Sequence, residues 1–236
     1  MLGTRIVIKR GGRDEAEKPF WISFADLMTA LMVLFLVVMG VALLAVTKTV
    51  TEREKIEEQH RKDIEEILKR FEDASDRYDG IRIYKDRQVI DFGDRARFAV
   101  DEWRLTPEQE SVLRQFVPEI ITLANSELGR RILKRIVVEG YTDRTGTYLG
   151  NLNLSLQRSQ RVLCVMFATS GPSLLSDDQK LQVRNLFLVG GYSFNAAKDT
   201  DEASRRVEMR LEFLGPLEER PVPPEVTSRF GECALR

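Results

Sequence analysis

A long apolar run near the start of the chain contains a single carboxylate. The run reads WISFADLMTALMVLFLVVMGVALLAV from Trp21 to Val46, and its one charged residue is Asp26. At about 1.5 Å of rise per residue, a helix from Phe20 to Val46 is about 40 Å long, enough to cross a hydrocarbon core of roughly 30 Å with some tilt. Charged residues make up 31% of the whole chain, whereas this run contains only one. This segregation of polarity predicts a single-pass membrane protein.

We expect the run to be retained as a transmembrane helix rather than removed as a signal peptide. It starts late, is longer than the apolar core of a signal peptide and lacks a small-residue cleavage site. Pro19 suits the first turn of a helix, and Trp21 suits the membrane interface. Basic residues flank both ends of the run, so charge alone does not predict its orientation.

Asp26 is the residue in this run that most needs an explanation. An aspartate at a helix centre costs about 2.5–3.5 kcal/mol on insertion scales, and such residues usually face protein or water. Helical spacing places it on one face with Ser23, Ala30, Val33, Val37 and Gly40. Because small residues let another helix approach closely, we expect Asp26 to face a partner helix. A carboxylate in such a place could switch between its neutral and charged forms, as an ion carrier must. Ser23 and Thr29 lie near enough to assist, and the choice between H⁺ and Na⁺ stays open. The alternative is an aspartate that reaches water at the interface.

A charged, helix-forming segment follows the apolar run. Residues 47–79 are rich in Glu, Lys and Arg and contain no Gly or Pro. Five apolar positions recur at helical spacing: Ile64, Ile67, Phe71, Ala74 and Tyr78. Such a narrow seam suits pairing with a second copy of the chain, and a solvated stalk without a partner is the alternative. We expect Gly80 to end the helix.

The remaining sequence predicts an α+β domain. IRIYKDRQVIDF alternates like a β-hairpin, and Thr106, Pro107 and Gln109 together form the start signal of a helix. Ile136–Glu139 is a buried type of strand, a helix follows and ends at Gly171, and NLFLVGGYSF and RRVEMRLEFL are the last two strands. Counted from the second strand of the hairpin, the order is β-α-β-α-β-β, with helices packed on a mixed sheet.

Composition argues against several functional classes. Lys and Arg number 36 against 37 Asp and Glu, so no basic excess favours nucleic acid. One histidine and two cysteines give no metal cluster and no catalytic triad, so we expect neither an enzyme nor a cofactor. In an oxidising compartment Cys164 and Cys233 could form a disulfide, which the sequence leaves open.

GYTDRTGTYLGNLNLSLQRSQRV, from Gly140 to Val162, closely resembles the signature of the OmpA-like peptidoglycan-binding domain. RRVEMRL resembles the last strand motif of that family, and the resemblance extends over residues 81–214. Two positions depart from the usual pattern: Ser204 replaces a common Asn, and Ser159 replaces a common Ala. The resemblance implies the α+β fold given above and binding to the cell wall.

The resemblance also implies roles for particular residues. Asp143 and Arg158 occupy the positions that hold the diaminopimelate of the wall's stem peptide. A carboxylate for its ammonium group and an arginine fork for its carboxylate suit that zwitterionic ligand. Thr142, Asn151 and Leu154 occupy matching positions and are expected to line the same groove. The alternative is a salt bridge between Asp143 and Arg158 that holds the loop to the helix.

WISFADLMTALMVLFLVVM resembles the membrane helix of MotB-type stator proteins, and Asp26 falls on their ion-carrying aspartate. Together the two motifs resemble a stator B subunit of the bacterial inner membrane, with a cytoplasmic N-terminus and a periplasmic wall-binding domain. The short N-terminus and tail make it most similar to the ZorB-type subunits of Zorya anti-phage systems. A flagellar-type stator subunit and a passive wall anchor are the alternatives.

These resemblances imply partners and domain boundaries. The expected assembly is a homodimer inside a ring of multi-span subunits of the ZorA or MotA type, in contact with peptidoglycan and inner-membrane lipid. The expected boundaries are 1–18 for the cytoplasmic segment, 19–46 for the transmembrane helix, 47–79 for the stalk helix, 80–214 for the OmpA-like domain and 215–236 for an irregular tail.

Overall fold

The computed structural model describes residues 14–223 and 230–235. Most of the predicted cytoplasmic segment 1–18, and part of the predicted tail 215–236, therefore lie outside the described residues. The chain divides into two compact units, Met1–Ile56 and Glu57–Arg236.

The first long element is helix α1, Asp14–Ser75. In the part of the chain that the structure describes, it is the one helix long and apolar enough to cross a membrane. Its apolar side chains point outward: Leu27, Leu31 and Leu34 are each at least 60% exposed. No segment of the described chain covers this apolar surface, as a lipid-facing helix requires.

Helix α1 ends at Ser75, five residues before Gly80, which was expected to end it. The backbone N–H of Tyr78 donates to the carbonyl of Ser75 at 2.8 Å and turns the chain inward. The Tyr78 ring then packs edge-on against Phe116, with ring centroids 5.1 Å apart. The chain thus leaves the helix to bury this aromatic side chain, and Gly80, with φ +86°, lies in the turn that follows.

The second unit is a mixed five-stranded sheet with helices, as the sequence predicted. The strands are β1 Arg82–Tyr84, β2 Val89–Asp91, β3 Leu133–Gly140, β4 Phe187–Gly191 and β5 Val207–Phe213. The helices are α2 Pro107–Asn125, α3 Glu127–Ile132, α4 Tyr148–Met166, α5 Asp177–Leu186 and α6 Asp201–Ser204, with a 3-10 helix at Gly93–Ala96. The spatial order is β1-β2-β5-β3-β4, in which β3 and β4 are parallel and the other neighbours antiparallel.

The apolar seam of the predicted stalk lies in the core of this unit. Ile67 and Phe71 are fully buried in one cluster with Phe116 and Leu211, and Ala74 is 6% exposed. Ile64 and Tyr78 pack against the same cluster. The seam is therefore not free to pair with a second copy, because its own domain already buries it.

Local capping signals explain where several helices begin. Thr106 and Gln109 form the predicted capping box at the start of α2, and Pro107 is its first residue. Ser176 and Gln179 form a second capping box at the start of α5, a helix that the sequence analysis did not predict. α4 ends at Met166 rather than at Gly171, so its C-terminus is shorter than expected.

Several contacts fasten the tail to this unit, among them a disulfide and the hydrogen bonds of an arginine. A disulfide joins Cys164 of α4 to Cys233. The guanidinium of Arg220 donates to the carbonyls of Leu133 and Gly129, both at 2.8 Å. The described part of the tail contains neither helix nor strand, in agreement with its proline-rich sequence.

Candidate functional sites

The membrane carboxylate Asp26 lies on α1 and is exposed, in an otherwise apolar stretch. The hydroxyl of Thr29 donates to the carbonyls of Ala25 and Asp26, at 2.5 and 3.1 Å. Ser23 lies almost one helical turn before Asp26 and is also exposed. Within the described residues the Asp26 side chain has no hydrogen-bond or ion-pair partner, so this helix alone does not satisfy it.

The second site forms where β3 ends against α4. A Cβ on Gly140 would lie 1.9 Å from the carbonyl oxygen of Ser155, so α4 packs directly on the strand at this glycine. The hydroxyl of Ser155 accepts from the N–H of Ser193 at 3.1 Å, and the N–H of Thr142 donates to the carbonyl of Ser193 at 3.0 Å. These contacts fix the loop that follows β3 above one side of α4.

Asp143 lies in this loop and is 6% exposed. One carboxylate oxygen accepts from the guanidinium of Arg205 at 2.9 Å, and the other accepts from the N–H of Thr145 at 3.0 Å. Burial raises the pKa of the Asp143 carboxyl, but the hydrogen bonds from Arg205 and Thr145 outweigh it and hold the pKa below its ordinary value. Asp143 is therefore a buried, charged carboxylate.

Arg158 is fully buried on α4. Its guanidinium donates to three backbone carbonyls, those of Glu102 at 2.9 Å, Tyr141 at 2.7 Å and Ala99 at 3.2 Å. The guanidinium carbon lies 4.9 Å from the centre of the Phe98 ring. Burial lowers the pKa of Arg158 to about 10, although the nearby charge of Asp143 favours the cation.

The structure does not show a direct salt bridge between Asp143 and Arg158, which was the alternative reading of this pair. Asp143 pairs with Arg205 instead, whereas Arg158 bonds to neutral carbonyls. Arg205 was missed in the sequence analysis as a site residue, although its motif was recognised. Arg205 and Arg206 precede β5 and point to different partners, since Arg206 donates to Glu208 at 2.7 Å.

The other predicted residues surround this pair. The side-chain amide of Asn151 donates to the carbonyl of Thr145 at 2.8 Å, which links α4 to the Asp143 loop. Thr142 is 1% exposed, and its buried hydroxyl has no hydrogen-bond partner among the described residues. Leu154 lies on α4 almost one turn after Asn151 and is half-buried. Ser204, the departure from the usual asparagine, is buried and donates to the carbonyl of Thr200 at 2.8 Å.

A layer of buried charges lies on the sheet next to this site. The carboxylate of Glu139 is fully buried and accepts from Arg210 at 2.7 Å and from the hydroxyl of Tyr141 at 2.7 Å. Burial raises the pKa of the Tyr141 hydroxyl, and the Glu139 carboxylate that accepts its hydrogen bond raises it further. Asp91 accepts from Lys198 at 2.8 Å; burial raises its pKa, but Lys198 and the N–H of Gly93 hold it below its ordinary value.

Comparison with known families matches both parts of the chain. The OmpA family matches residues 97–206. A second family, described as membrane MotB of the proton-channel complex MotA/MotB, matches residues 8–51. The second match contains the apolar run from Trp21 to Val46, and the first lies within the unit that carries Asp143.

The chain is also similar to a curated protein and to parts of several solved structures. The chain is 44% identical to Zorya protein ZorB of Escherichia coli O139:H28 over 229 residues, which cover 96% of this chain and 93% of that protein. Among solved structures, the cell wall anchor of the type VI secretion system of Pseudomonas aeruginosa is 22% identical, with a TM-score of 0.37. The match covers 60% of this chain and 94% of that one. The periplasmic domain of MotB (residues 64–256) is 14% identical, with a TM-score of 0.36. That match covers 53% of this chain and 61% of the MotB domain.

Proposed function

Because this chain belongs to the ZorB family of MotB-like stator proteins anchored to peptidoglycan, we propose that it is the B subunit of a proton-driven inner-membrane motor in anti-phage defence. The observation that carries the proposal is Asp26, the single carboxylate of the apolar run Trp21–Val46 in α1, in the same chain as an OmpA-like domain. A passive anchor has no use for a charge in that position.

Asp26 is the proton carrier in this proposal. One membrane helix cannot enclose an ion path, so the unpartnered carboxylate needs other helices around it. The small residues of its face, among them Ala30 and Gly40, allow such helices to approach closely. Two copies of this chain inside a ring of multi-span subunits of the ZorA or MotA type supply that environment. Protonation and release at Asp26, assisted by Ser23 and Thr29, then bias the ring to step.

The OmpA-like domain holds the pair to the wall in this proposal, so that the ring moves against a fixed point. This role requires a cytoplasmic N-terminus and a periplasmic domain. The disulfide between Cys164 and Cys233 supports that orientation, because disulfides persist in the periplasm and are rare in the cytosol.

Asp143 and Arg158 bind the charged ends of diaminopimelate in this proposal. The Asp143 carboxylate is charged and held by Arg205, so it is suited to an ammonium group. Arg158 lacks a carboxylate partner of its own and is suited to the carboxylate end. Thr142, Asn151 and Leu154 shape the groove beside them.

The variant Asp26→Asn tests the ion-carrier role. Asparagine keeps the size of the side chain but cannot release a proton, so we expect protection against phage to be lost in cells that contain the partner subunits. Membrane insertion and retention on purified sacculi should stay unchanged. The matched control is Asp86→Asn, the same chemical change at an exposed position outside the apolar run. Full protection by Asp26→Asn would leave only the passive anchor.

A further inference from the structure

Arg158 is a buried cation without a carboxylate in direct contact, although the carboxylates of Asp143, Asp101 and Glu102 lie near enough to favour its charge. It is fully buried, and within the described residues none of its contacts is an ion pair, since its acceptors are three neutral carbonyls. Burying a charge is costly unless an opposite charge compensates it, and neutral carbonyls compensate only part of that cost. The folded chain therefore supplies negative charge near Arg158 but no carboxylate bonded to its guanidinium, and a ligand carboxylate can provide that contact.

Two of the three carbonyls belong to one β-turn, Ala99–Glu102. The N–H of Glu102 donates to the carbonyl of Ala99 at 3.2 Å and closes the turn, and the carbonyls of both these residues accept from Arg158. This turn thus covers the guanidinium and occupies the donors that a ligand would need.

The turn has features of a segment that can open. Asp101 has φ +54°, in the left-handed region that is strained for residues other than glycine. Val100 at its tip is 60% exposed, so opening exposes little additional apolar surface there. On one side the chain is anchored at Phe98, whose N–H donates to the carbonyl of Arg205 at 2.9 Å. On the other side it is anchored at Leu105, which is 7% exposed.

We propose that the Ala99–Glu102 turn is a lid over Arg158, and that binding of the wall exchanges its two carbonyls for the carboxylate of the stem peptide. The inference rests on the proposed wall-binding function. A carboxylate bonds a guanidinium more strongly than neutral carbonyls do, because both partners are charged and the contact can be bidentate. The exchange also releases the strain at Asp101, and the closed lid keeps Arg158 from other anions when no wall is bound.

The chain carries a reporter for this motion. It has two tryptophans, Trp21 and Trp103, and Trp103 directly follows the turn. The guanidinium of Arg104 lies 4.5 Å from the centre of the Trp103 ring, an environment that changes if the turn moves. In the full chain in detergent, Trp21→Phe leaves Trp103 as the single tryptophan. We expect a soluble stem peptide that contains diaminopimelate to shift its emission saturably, and to speed hydrogen exchange at the Glu102 amide.

A pair of variants at Asp101 tests the strain. Asparagine removes the charge but keeps the left-handed strain nearly unchanged, whereas glycine removes both the charge and the strain. Because a relaxed turn stays closed more readily, we expect Asp101→Gly to bind the stem peptide about five- to tenfold more weakly than Asp101→Asn. Equal affinities would contradict a role for strain in the lid.

Retention on purified sacculi separates the two levels of the proposal. If the unaltered chain is retained while the Trp103 emission and the Glu102 exchange stay constant on saturation, the lid is wrong and wall binding stands. If the unaltered chain is not retained at all, the proposed wall binding is wrong and the lid falls with it. In Asp143→Asn, which loses the ammonium partner, we expect no emission shift at the concentration that saturates the Trp21→Phe chain.

Discussion

Asp143 and Arg205 are joined by an ion pair of 2.9 Å that connects the loop after β3 to the residue before β5. Arg205 also donates to the carbonyl of Phe98 at 3.1 Å, so one guanidinium holds three segments of the site together. The loop that carries Asp143 is therefore positioned by an arginine outside the signature that runs from Gly140 to Val162.

We expect Arg205→Gln to lower the free energy of unfolding by about 3 kcal/mol, because it leaves the buried Asp143 carboxylate unpaired. The double variant with Asp143→Asn should lose clearly less than the sum of the two single variants, because the second change removes the group left unpaired by the first. Urea unfolding of the full chain in detergent measures both. The control is Arg82→Gln on the exposed surface. Additive losses would contradict the coupling.

Acidification should destabilise the OmpA-like domain. The pKa values of Asp143 and Asp91 are held below the ordinary value of about 3.9, so both carboxylates bind protons more readily in the unfolded chain. Their contribution to stability is present above pH 4 and is lost as the pH falls through their folded pKa values. We expect the free energy of unfolding to fall below pH 4, and to fall less steeply in Asp143→Asn. An unchanged slope would show that Asp143 does not contribute.

The end of α1 should behave as part of the domain core. Phe71 is fully buried, so we expect Phe71→Ala to lower the free energy of unfolding by about 3–5 kcal/mol. Ile56→Ala on the same helix is the control, since Ile56 is 39% exposed and should change stability by less than about 1 kcal/mol. A dimer seam would instead make Phe71→Ala lower the dimer affinity while each domain kept its stability.

The disulfide should contribute substantially to stability. It links positions that are 69 residues apart, and closing a loop of that size stabilises a domain by about 2–4 kcal/mol. We expect Cys164→Ser with Cys233→Ser to lower the free energy of unfolding by that amount under oxidising conditions. Reductant should lower the stability of the unaltered chain similarly and leave the double variant unchanged. Equal stability of the two chains without reductant would contradict the prediction.

The features predicted well from sequence were those encoded locally. The capping box of Thr106 and Gln109, the β1–β2 hairpin and the apolar helix each depend on neighbouring residues, and the structure confirms all three. The helix α5 was missed even though Ser176 and Gln179 carry the same capping pattern as α2, because it is only 10 residues long and mostly polar.

The features that the sequence could not determine depend on tertiary contacts. Spacing shows that Phe71 belongs to an apolar seam, but it does not show whether that seam meets a second copy or its own domain. Similarly, the motif places Asp143 and Arg158 near each other without showing that Arg205 provides the ion pair. Residues far apart in the chain decide both questions, and one sequence does not reveal which of them meet.

The contact between β3 and α4 at Gly140 has a consequence for recognising distant relatives. The carbonyl oxygen of Ser155 occupies the space that any side chain at this position would need. A homologous chain with alanine or a larger residue there must hold its helix farther from the sheet, which changes where the arginine equivalent to Arg158 emerges. The residue at this single position therefore indicates whether a remote relative has inherited the geometry of the site or only the fold.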